Sequence, residues 1–312
     1  MDLKQLRAFL TVADTGNVTR AAHILNLVQP AVSRQIRLLE DDVGVALFER
    51  ERHGMILTEA GRALTGYARR AMLELERARI EITGAASRGV GGLVTLGLLP
   101  STVDILASPL VSAVAAAYPG IRVRVAVGYA GNLLRALTSG EVDVALLYGA
   151  ARSADIQATP LVEEALWVIG PADSNLHPSR PVPLARLSSH RLVLPSVPHG
   201  IRMLVEHACA VSNLTLDISA ETNALSVQRS LVLGGHGLTI LPPIAVADDL
   251  RARKLSGAPV AEPGISRTIV LALPVHRPTG QHVRHVVDLL VQVARHAIDT
   301  RAWPEGRWLL AH

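Results

Sequence analysis

Cysteine is almost absent from this chain of 312 residues, where Cys209 is the single example. One thiol cannot build a disulfide framework, and it excludes metal sites made of paired cysteines. Lying in LVEHACAVS, an apolar helical pattern, Cys209 reads as a buried structural thiol, with redox sensing as the alternative. Aromatic residues are also scarce: 2 Phe, 4 Tyr and 3 Trp. A stacking cage for an aromatic ligand is therefore not expected, and a small polar acid or anion fits the composition better. No run of about 18 or more apolar residues occurs, and Lys4 and Arg7 interrupt the N-terminus before any signal-peptide core. A cytoplasmic protein with no membrane partner is expected. Lysine is limited to Lys4 and Lys254, but the preference for arginine extends over the whole chain and reads as a coding bias. The spacings of nucleophile elbows, phosphate loops and HExxH metal helices are missing as well. His282 and His285 are three apart on one helix, yet no carboxylate accompanies them, so no metal and no cofactor is expected and the chain does not read as an enzyme.

What the chain does contain is a pair of short amphipathic helices meeting at a tight turn, AAHILNLVQPAVSRQIRLLE over residues 21–40. Ala21, Ala22 and Leu25 share one face, and small alanines permit a close crossing. In the second helix Val32, Ile36 and Leu39 recur at four and three residues. Gln29 and Pro30 open that helix, where proline is tolerated because the first turn leaves its N–H unused anyway. Ser33, Arg34 and Arg37 then point outward. Gln can bond adenine with two hydrogen bonds and Arg can do the same to guanine, so this is the inventory of a recognition helix for double-stranded DNA. A preceding helix runs from Asp2 to Thr15 and stops at Gly16. Afterwards LFERERHGMILTEAG reads as a β-wing turned at Gly54, carrying Arg50, Arg52 and His53 toward phosphates, with Arg20 as a further candidate contact.

The net charge of +4 and pI of about 9.7 do not argue for DNA by themselves, because residues 1–62 balance basic against acidic groups. Segregation does: the arginines fall on the presumed DNA-facing helix and wing, whereas Glu40, Asp41 and Asp42 gather at the far end of the helix, where they would keep that end off the phosphates. An ordinary helical hairpin with a solvated face is the competing reading.

Residues 59–88 form one long helical run. Leu64, Tyr67, Ala71, Leu75 and Ala78 fall three or four apart with charges between them, a seam suited to a second copy of the chain; a helix lying on its own protomer is the alternative. Gly84 to Gly92 holds four glycines and reads as a hinge. Beyond it strands and helices alternate: LVTLGLL, IRVRVAV and VDVALLY, then LWVIG, RLVLPS, LTLDIS and LTILPP, and finally RTIVLALPV before a helix at 279–298. Such βαβ units predict a parallel sheet with helices on both faces. Ligands in such sheets sit beyond the carboxyl ends of strands, near free helix N–H groups. Ser101, Thr102, Tyr129, Asn132, Tyr148, Ser196, Arg202 and Thr222 fall at such places, Arg202 as a possible partner for an anion. Plain capping or turn chemistry is the alternative for each.

The opening LKQLRAFLTVADTGNVTRAA, then QPAVSRQIRLLEDDVG, LFER and LTEAG resemble the winged helix-turn-helix of LysR-type transcriptional regulators. The pattern departs from the family at Val28, where a capping Ser or Thr is frequent, and at Ile56, where a basic residue is common. The alternating region resembles the effector domain of the same family, which is similar to periplasmic solute-binding proteins, and PSVPHGIRMLVEH is similar to the subgroup of the nitrogen-assimilation control regulator. The resemblance implies an all-α winged helix-turn-helix domain (1–58), a linker and dimerisation helix (59–88) and a periplasmic-binding-protein-like α/β effector domain (92–300). The effector domain is expected to have two subdomains, one of 92–160 with 267–300 and the other of 161–266. It also implies effector contacts at Ser101 and Thr102, a small-molecule effector between the halves, which from the residues there is expected to be an anion or carboxylate, a homo-dimer or tetramer, and RNA polymerase as a candidate partner. A solute-binding protein or enzyme with an appended helical module is the rival reading.

Overall fold

The computed structural model describes residues 1–51, 54–88, 90–149 and 153–310, without the side chains of 81 and 83–88. Two compact units emerge, one of Met1–Gly92 and the other of Leu93–Thr138 with Val142–His312.

In the first unit, α1 (Leu3–Thr15), α2 (Val18–Leu25) and α3 (Gln29–Val43) precede an antiparallel hairpin of β1 (Phe48–Glu51) and β2 (Gly54–Leu57), followed by the long helix α4 (Glu59–Arg88). Local signals set these boundaries. Asp2 caps α1 in a capping box with Gln5, and Gly16 ends it at φ +63°, a left-handed conformation that glycine adopts without steric cost. Asn17 caps α2 through its side chain, whereas α3 starts at Val28 with no side-chain cap and with Pro30 in its first turn. Phe9, Val12, Ala21, Val32, Leu39 and Leu47 are buried together, and the rings of Phe9 and Phe48 lie 5.3 Å apart. The alanines let the helices cross closely, as their spacing predicts.

Glu40 has a different task from the one expected of it. Its Oε1 accepts the N–H groups of Leu47 and Phe48 at 2.7 and 3.2 Å, tying the end of α3 to the first wing strand. Asp42 receives the N-terminal ammonium at 2.6 Å. These acids hold the fold, rather than merely shielding the helix end from phosphates. The wing is fixed in turn by the Met55 N–H donating to Gly16 O at 2.8 Å.

Helix α4 divides the predicted seam. Leu64, with Ala60 and Met72, packs on the helix-turn-helix core around buried Ala68, while Tyr67, Leu75 and Ile82 are 68%, 47% and 73% exposed. The helix continues through Gly84 to Arg88, so the first half of the stretch read as a hinge, Gly84 to Gly92, is helical.

The second unit begins with β3 (Gly91–Leu98), α5 (Val103–Ala117), β4 (Gly120–Val127), α6 (Ala130–Thr138), β5 (Val144–Tyr148) and β6 (Ile156–Ala165). There follow β7 (Trp167–Pro171), β8 (Val182–Pro183), β9 (Arg191–Pro195), α7 (Gly200–Val211), β10 (Asp217–Thr222), α8 (Leu225–Leu233), β11 (Thr239–Leu241), α9 (Ala247–Arg251) and β12 (Leu255–Ala261). The chain closes with β13 (Ser266–Pro274), α10 (Gln281–Asp299) and β14 (Gly306–Trp308). One subdomain is built on a sheet of order β14-β6-β13-β5-β3-β4, the other on β11-β7-β12-β8 and the pair β10-β9.

The sheets are mixed, which corrects the parallel expectation. β3 and β5 are parallel, but β13 returns from the other subdomain and runs antiparallel to both β5 and β6. That direction follows from connectivity, since a strand re-entering without a crossover helix comes in from the opposite end. The backbone passes between subdomains at Leu166 and Ile265, where the Leu166 N–H donates to Ile265 O at 2.8 Å. The first crossing is thus later than residue 160, because β6 keeps pairing with β13 as far as Ala165 opposite Ser266. The tail also returns to its own subdomain as β14, antiparallel to β6, extending that subdomain beyond residue 300. Cys209 is buried in the core around Trp167, Leu192, Val205 and Ile240; burial foremost pushes its thiol pKa up, the opposite of what a reactive thiolate needs. Among the described residues no helix is long and apolar enough to cross a membrane, and none gathers three or more side chains able to hold a metal.

Candidate DNA-binding surface and effector cleft

The residues read from the sequence as a recognition surface lie on α3 opposite the buried Val32, Ile36 and Leu39. Gln29, Pro30, Arg34 and Arg37 are exposed and Ser33 is half-buried. The Gln29 amide donates to Ser33 Oγ at 3.1 Å, one turn later, so the two polar side chains at the N-terminal end are held as a pair. Uncapped N–H groups of this first turn add a partial positive charge at the same end. Arg20, also exposed, lines a groove of about 740 Å³ with Asn17, Thr19 and His23 on one side and Glu51 and Ile56 of the hairpin on the other. Arg50 is exposed on β1 between Glu49 and Glu51. Arg52 and His53 lie outside the described residues.

In the second unit the carboxyl ends of β3 and β5 meet the starts of α7 and α8. They line a narrow cavity of about 20 Å³, with Ser101, Tyr129, Tyr148 and Arg267 on one side and His199, Ile201, Leu225, Gln228 and Leu241 on the other. Arg267 is the one cation of this lining. Its Nη2 donates to Ser101 Oγ at 2.8 Å, its guanidinium stands 5.0 Å from the Tyr148 ring, and its Nε donates to Glu164 at 2.6 Å. Such a buried arginine is held by hydrogen bonds on one side and offered to the cleft on the other.

His199 caps α7: its Nδ1 accepts the Ile201 N–H at 3.2 Å. Nε2 then carries the ring proton and faces the Tyr148 hydroxyl at 3.4 Å, while Tyr129 meets the imidazole edge-on at 4.5 Å. Burial, helped by the positive Arg267, lowers the His199 pKa to about 4, so the imidazole is neutral at neutral pH. Burial raises the pKa of both tyrosines, against the backbone N–H groups of Leu225 on Tyr129 and Gly200 on Tyr148. Both stay protonated and can donate. The site therefore offers one cation, two phenol groups and an apolar wall.

Of the residues singled out in the sequence, Ser101, Tyr129 and Tyr148 come together here, and Asn132 lines a wider adjoining groove of about 760 Å³. Four others do not line either space. The Thr102 hydroxyl is fully buried and donates to Leu99 O at 3.0 Å. Thr222 Oγ1 accepts the Ala224 N–H at 3.1 Å, plain turn chemistry, and Ser196 gives its backbone N–H to Thr222 O at 3.3 Å. Arg202 is corrected outright as an anion receptor. It is 8% exposed, and Glu206, Glu221 and Pro195 O take its N–H groups at 2.6, 2.6 and 3.2 Å. Arg267, His199 and Gln228 were missed. Arg267 had one signal, a lone charge at the head of the apolar strand RTIVLALPV. Two of the four tyrosines, both singled out in the sequence, meet at this one cavity.

Residues 3–62 match the family model for the bacterial regulatory helix-turn-helix protein of the lysR family, and residues 87–295 match the LysR substrate binding domain. The chain is 30% identical to the HTH-type transcriptional regulator BbuR of Bordetella bronchiseptica, over 97% of this chain and 93% of that one. It is 27% identical to the nitrogen assimilation regulatory protein nac of Escherichia coli, over 97% and 99%. The fold is that of full-length CbnR in complex with its target DNA, at a TM-score of 0.74, 22% identity and coverage of 95% and 100%. With both family models matched in order along nearly the whole chain, it belongs to the LysR family of DNA-binding transcriptional regulators, and is not an enzyme.

Proposed function

We propose that this regulator is controlled by a small carboxylate held between the two subdomains by Arg267 and Ser101, with Tyr129, Tyr148 and neutral His199 completing its surroundings. The observation that carries the reading is the Arg267 Nη2 to Ser101 Oγ hydrogen bond of 2.8 Å inside an otherwise mostly apolar cavity. A carboxylate entering there exchanges the serine for a charge-assisted partner. Asn132 at the adjoining groove is the candidate contact for a longer effector. Both carboxyl-end position and convergent polar groups support this over a surface site.

Operator recognition is assigned to Gln29, Ser33, Arg34 and Arg37 in the major groove and to Arg20, Arg50, Arg52 and His53 on the backbone. The exposed side chains of Tyr67, Ala71, Leu75 and Ala78 on α4 form the seam for a second copy; Leu64 supports the helix from its own domain. A dimer presents two recognition helices to half-sites about one DNA turn apart, a pair of dimers extends the footprint, and RNA polymerase is the proposed downstream partner, all in the cytoplasm. The effector shifts the balance between two arrangements of the halves, so it must bind one more tightly than the other.

The test is footprinting upstream of the chain's own gene with and without acetate, butyrate and benzoate, on the wild type and on Ser101→Ala. The expected result is a carboxylate-dependent footprint that S101A weakens without changing operator affinity in the absence of ligand. A footprint indifferent to every carboxylate, or equal loss of DNA affinity in S101A, sinks the reading.

A further inference from the structure

The segment beyond α10 lies outside the 87–295 stretch matched by the effector-domain model, yet it reaches the cleft through a continuous set of hydrogen bonds. β14 pairs with β6, Gly306 opposite Glu164. Trp303, only 1% exposed, donates its indole N–H to Glu164 Oε1 at 2.5 Å. The other oxygen, Oε2, accepts from Arg267 Nε at 2.6 Å, and Arg267 Nη2 goes to Ser101 Oγ at 2.8 Å. Glu164 and Arg267 are 1% and 2% exposed as side chains, so water does not substitute for these partners.

A guanidinium presents Nε–H and one terminal nitrogen as a parallel fork, and a carboxylate with both oxygens free takes the two together. Here Trp303 donates to Oε1 and Arg267 Nε to Oε2, so the carboxylate is oriented between the two donors and holds Arg267 by a single prong, while the second prong goes to Ser101. We infer that Trp303 is a positioning residue for the effector response: its indole N–H keeps Glu164 from closing on Arg267 and so leaves Arg267 Nη2 presented to an anion in the cleft. The inference rests on the carboxylate reading of the cleft for its ligand, but not for its geometry.

The test uses the full chain as wild type, Trp303→Phe, Glu164→Gln and the double variant, with calorimetric titration of acetate, butyrate and benzoate. W303F keeps a ring and removes the donor; an indole isostere lacking the N–H, benzothienylalanine at 303, serves if W303F does not fold. The expected result is carboxylate affinity about tenfold lower, the scale of one charge-assisted hydrogen bond, with operator affinity near wild type. In the E164Q background, where the amide cannot form the fork, W303F should cost nothing further. Wild-type affinity in W303F, or losses that simply add in the double variant, overturns the inference. If no carboxylate binds the wild type, the reading of the cleft fails on its own, and a crystal structure of W303F decides the geometry: a two-pronged Glu164–Arg267 pair with Ser101 released upholds the inference, and an unchanged Nη2–Ser101 contact overturns it.

Discussion

Gly200 and Tyr148 meet across the line between the two subdomains so closely that a β-carbon on Gly200 would lie 2.2 Å from Tyr148 Cε2. The Gly200 N–H also reaches the Tyr148 hydroxyl. Any larger residue at 200 must displace the ring that backs Arg267. Gly200→Ala is expected to cost about 1–3 kcal/mol, the usual range for overpacking, and to reduce the carboxylate response at least severalfold while operator affinity without ligand is unchanged. Thermal melts alongside effector titrations check this; a variant with wild-type values of both would mean that the two halves separate freely at this point.

His199 makes stability depend on pH. The unfolded chain takes up a proton near pH 6.5, whereas the folded protein refuses it until about pH 4. The unfolded state therefore binds more protons in that window, and stability present above pH 6.5 falls as pH drops toward 4, by up to about 3 kcal/mol. Denaturant midpoints of the wild type and His199→Gln between pH 7 and pH 4 measure it: the difference between the two proteins should change across that window, and parallel curves would contradict the assignment.

Gly61 does the same kind of work in the DNA-binding unit. A β-carbon there would sit 2.1 Å from Leu47 O, and a backbone carbonyl cannot swing away as a side-chain tip can. Gly61→Ala should push α4 off the strand entry and loosen the wing, lowering the stability of the first unit by about 1–3 kcal/mol and its operator affinity. All three tryptophans, Trp167, Trp303 and Trp308, belong to the second unit. Circular dichroism should thus report an early transition that tryptophan fluorescence does not; a single coincident melt at the wild-type temperature argues against the clash.

Arg34 is exposed on α3, and Arg34→Ala is expected to cost about 1–3 kcal/mol on the cognate operator and to relax its preference at one base position. Arg50→Ala, on the wing, should weaken binding to all sequences alike and flatten the salt dependence. Quantitative mobility shifts on cognate and scrambled duplexes distinguish the two, and identical profiles would remove the division between base and backbone contacts.

Leu75 tests the association seam. It is 47% exposed on α4, and an arginine there buries no charge in the single chain but would do so twice at a two-fold interface. Leu75→Arg should move sedimentation toward the monomer and lower operator affinity at nanomolar protein, with the melting curve of the second unit intact. An unchanged oligomer assigns the interface elsewhere.

The first domain was legible because its signals are local. The alanines at 21 and 22, the proline at 30, the glycine at 16 and the period of Val32, Ile36 and Leu39 each act within one or two helical turns, and the helices form where these residues say. Glu40 was misjudged for the complementary reason: its partners, the N–H groups of Leu47 and Phe48, are supplied by a strand after a turn, which spacing along a helix cannot reveal. In the cleft, Ser101, Tyr129 and Tyr148 were singled out by the rule that ligands gather at strand ends, and the fold brings the three to one cavity. The same rule drew in Arg202, whose charge is spent on Glu206 and Glu221, and passed over Arg267, which lies at the start of its strand and reaches the cavity because β13 runs antiparallel to β5.

By itself, the order of residues determined the helix-turn-helix, the long linking helix, the alternating α/β region and the family to which they belong, since periodicity, caps and turn residues are short-range properties carried by the chain wherever it goes. Tertiary structure alone decided which charges are paired and which are offered. Trp303, Glu164, Arg267 and Ser101 stand up to about 200 residues apart in sequence and become neighbours only when β13 and β14 return to β6; once excluded from water, each hydrogen bond there depends on which partner arrives, and no local pattern records that choice.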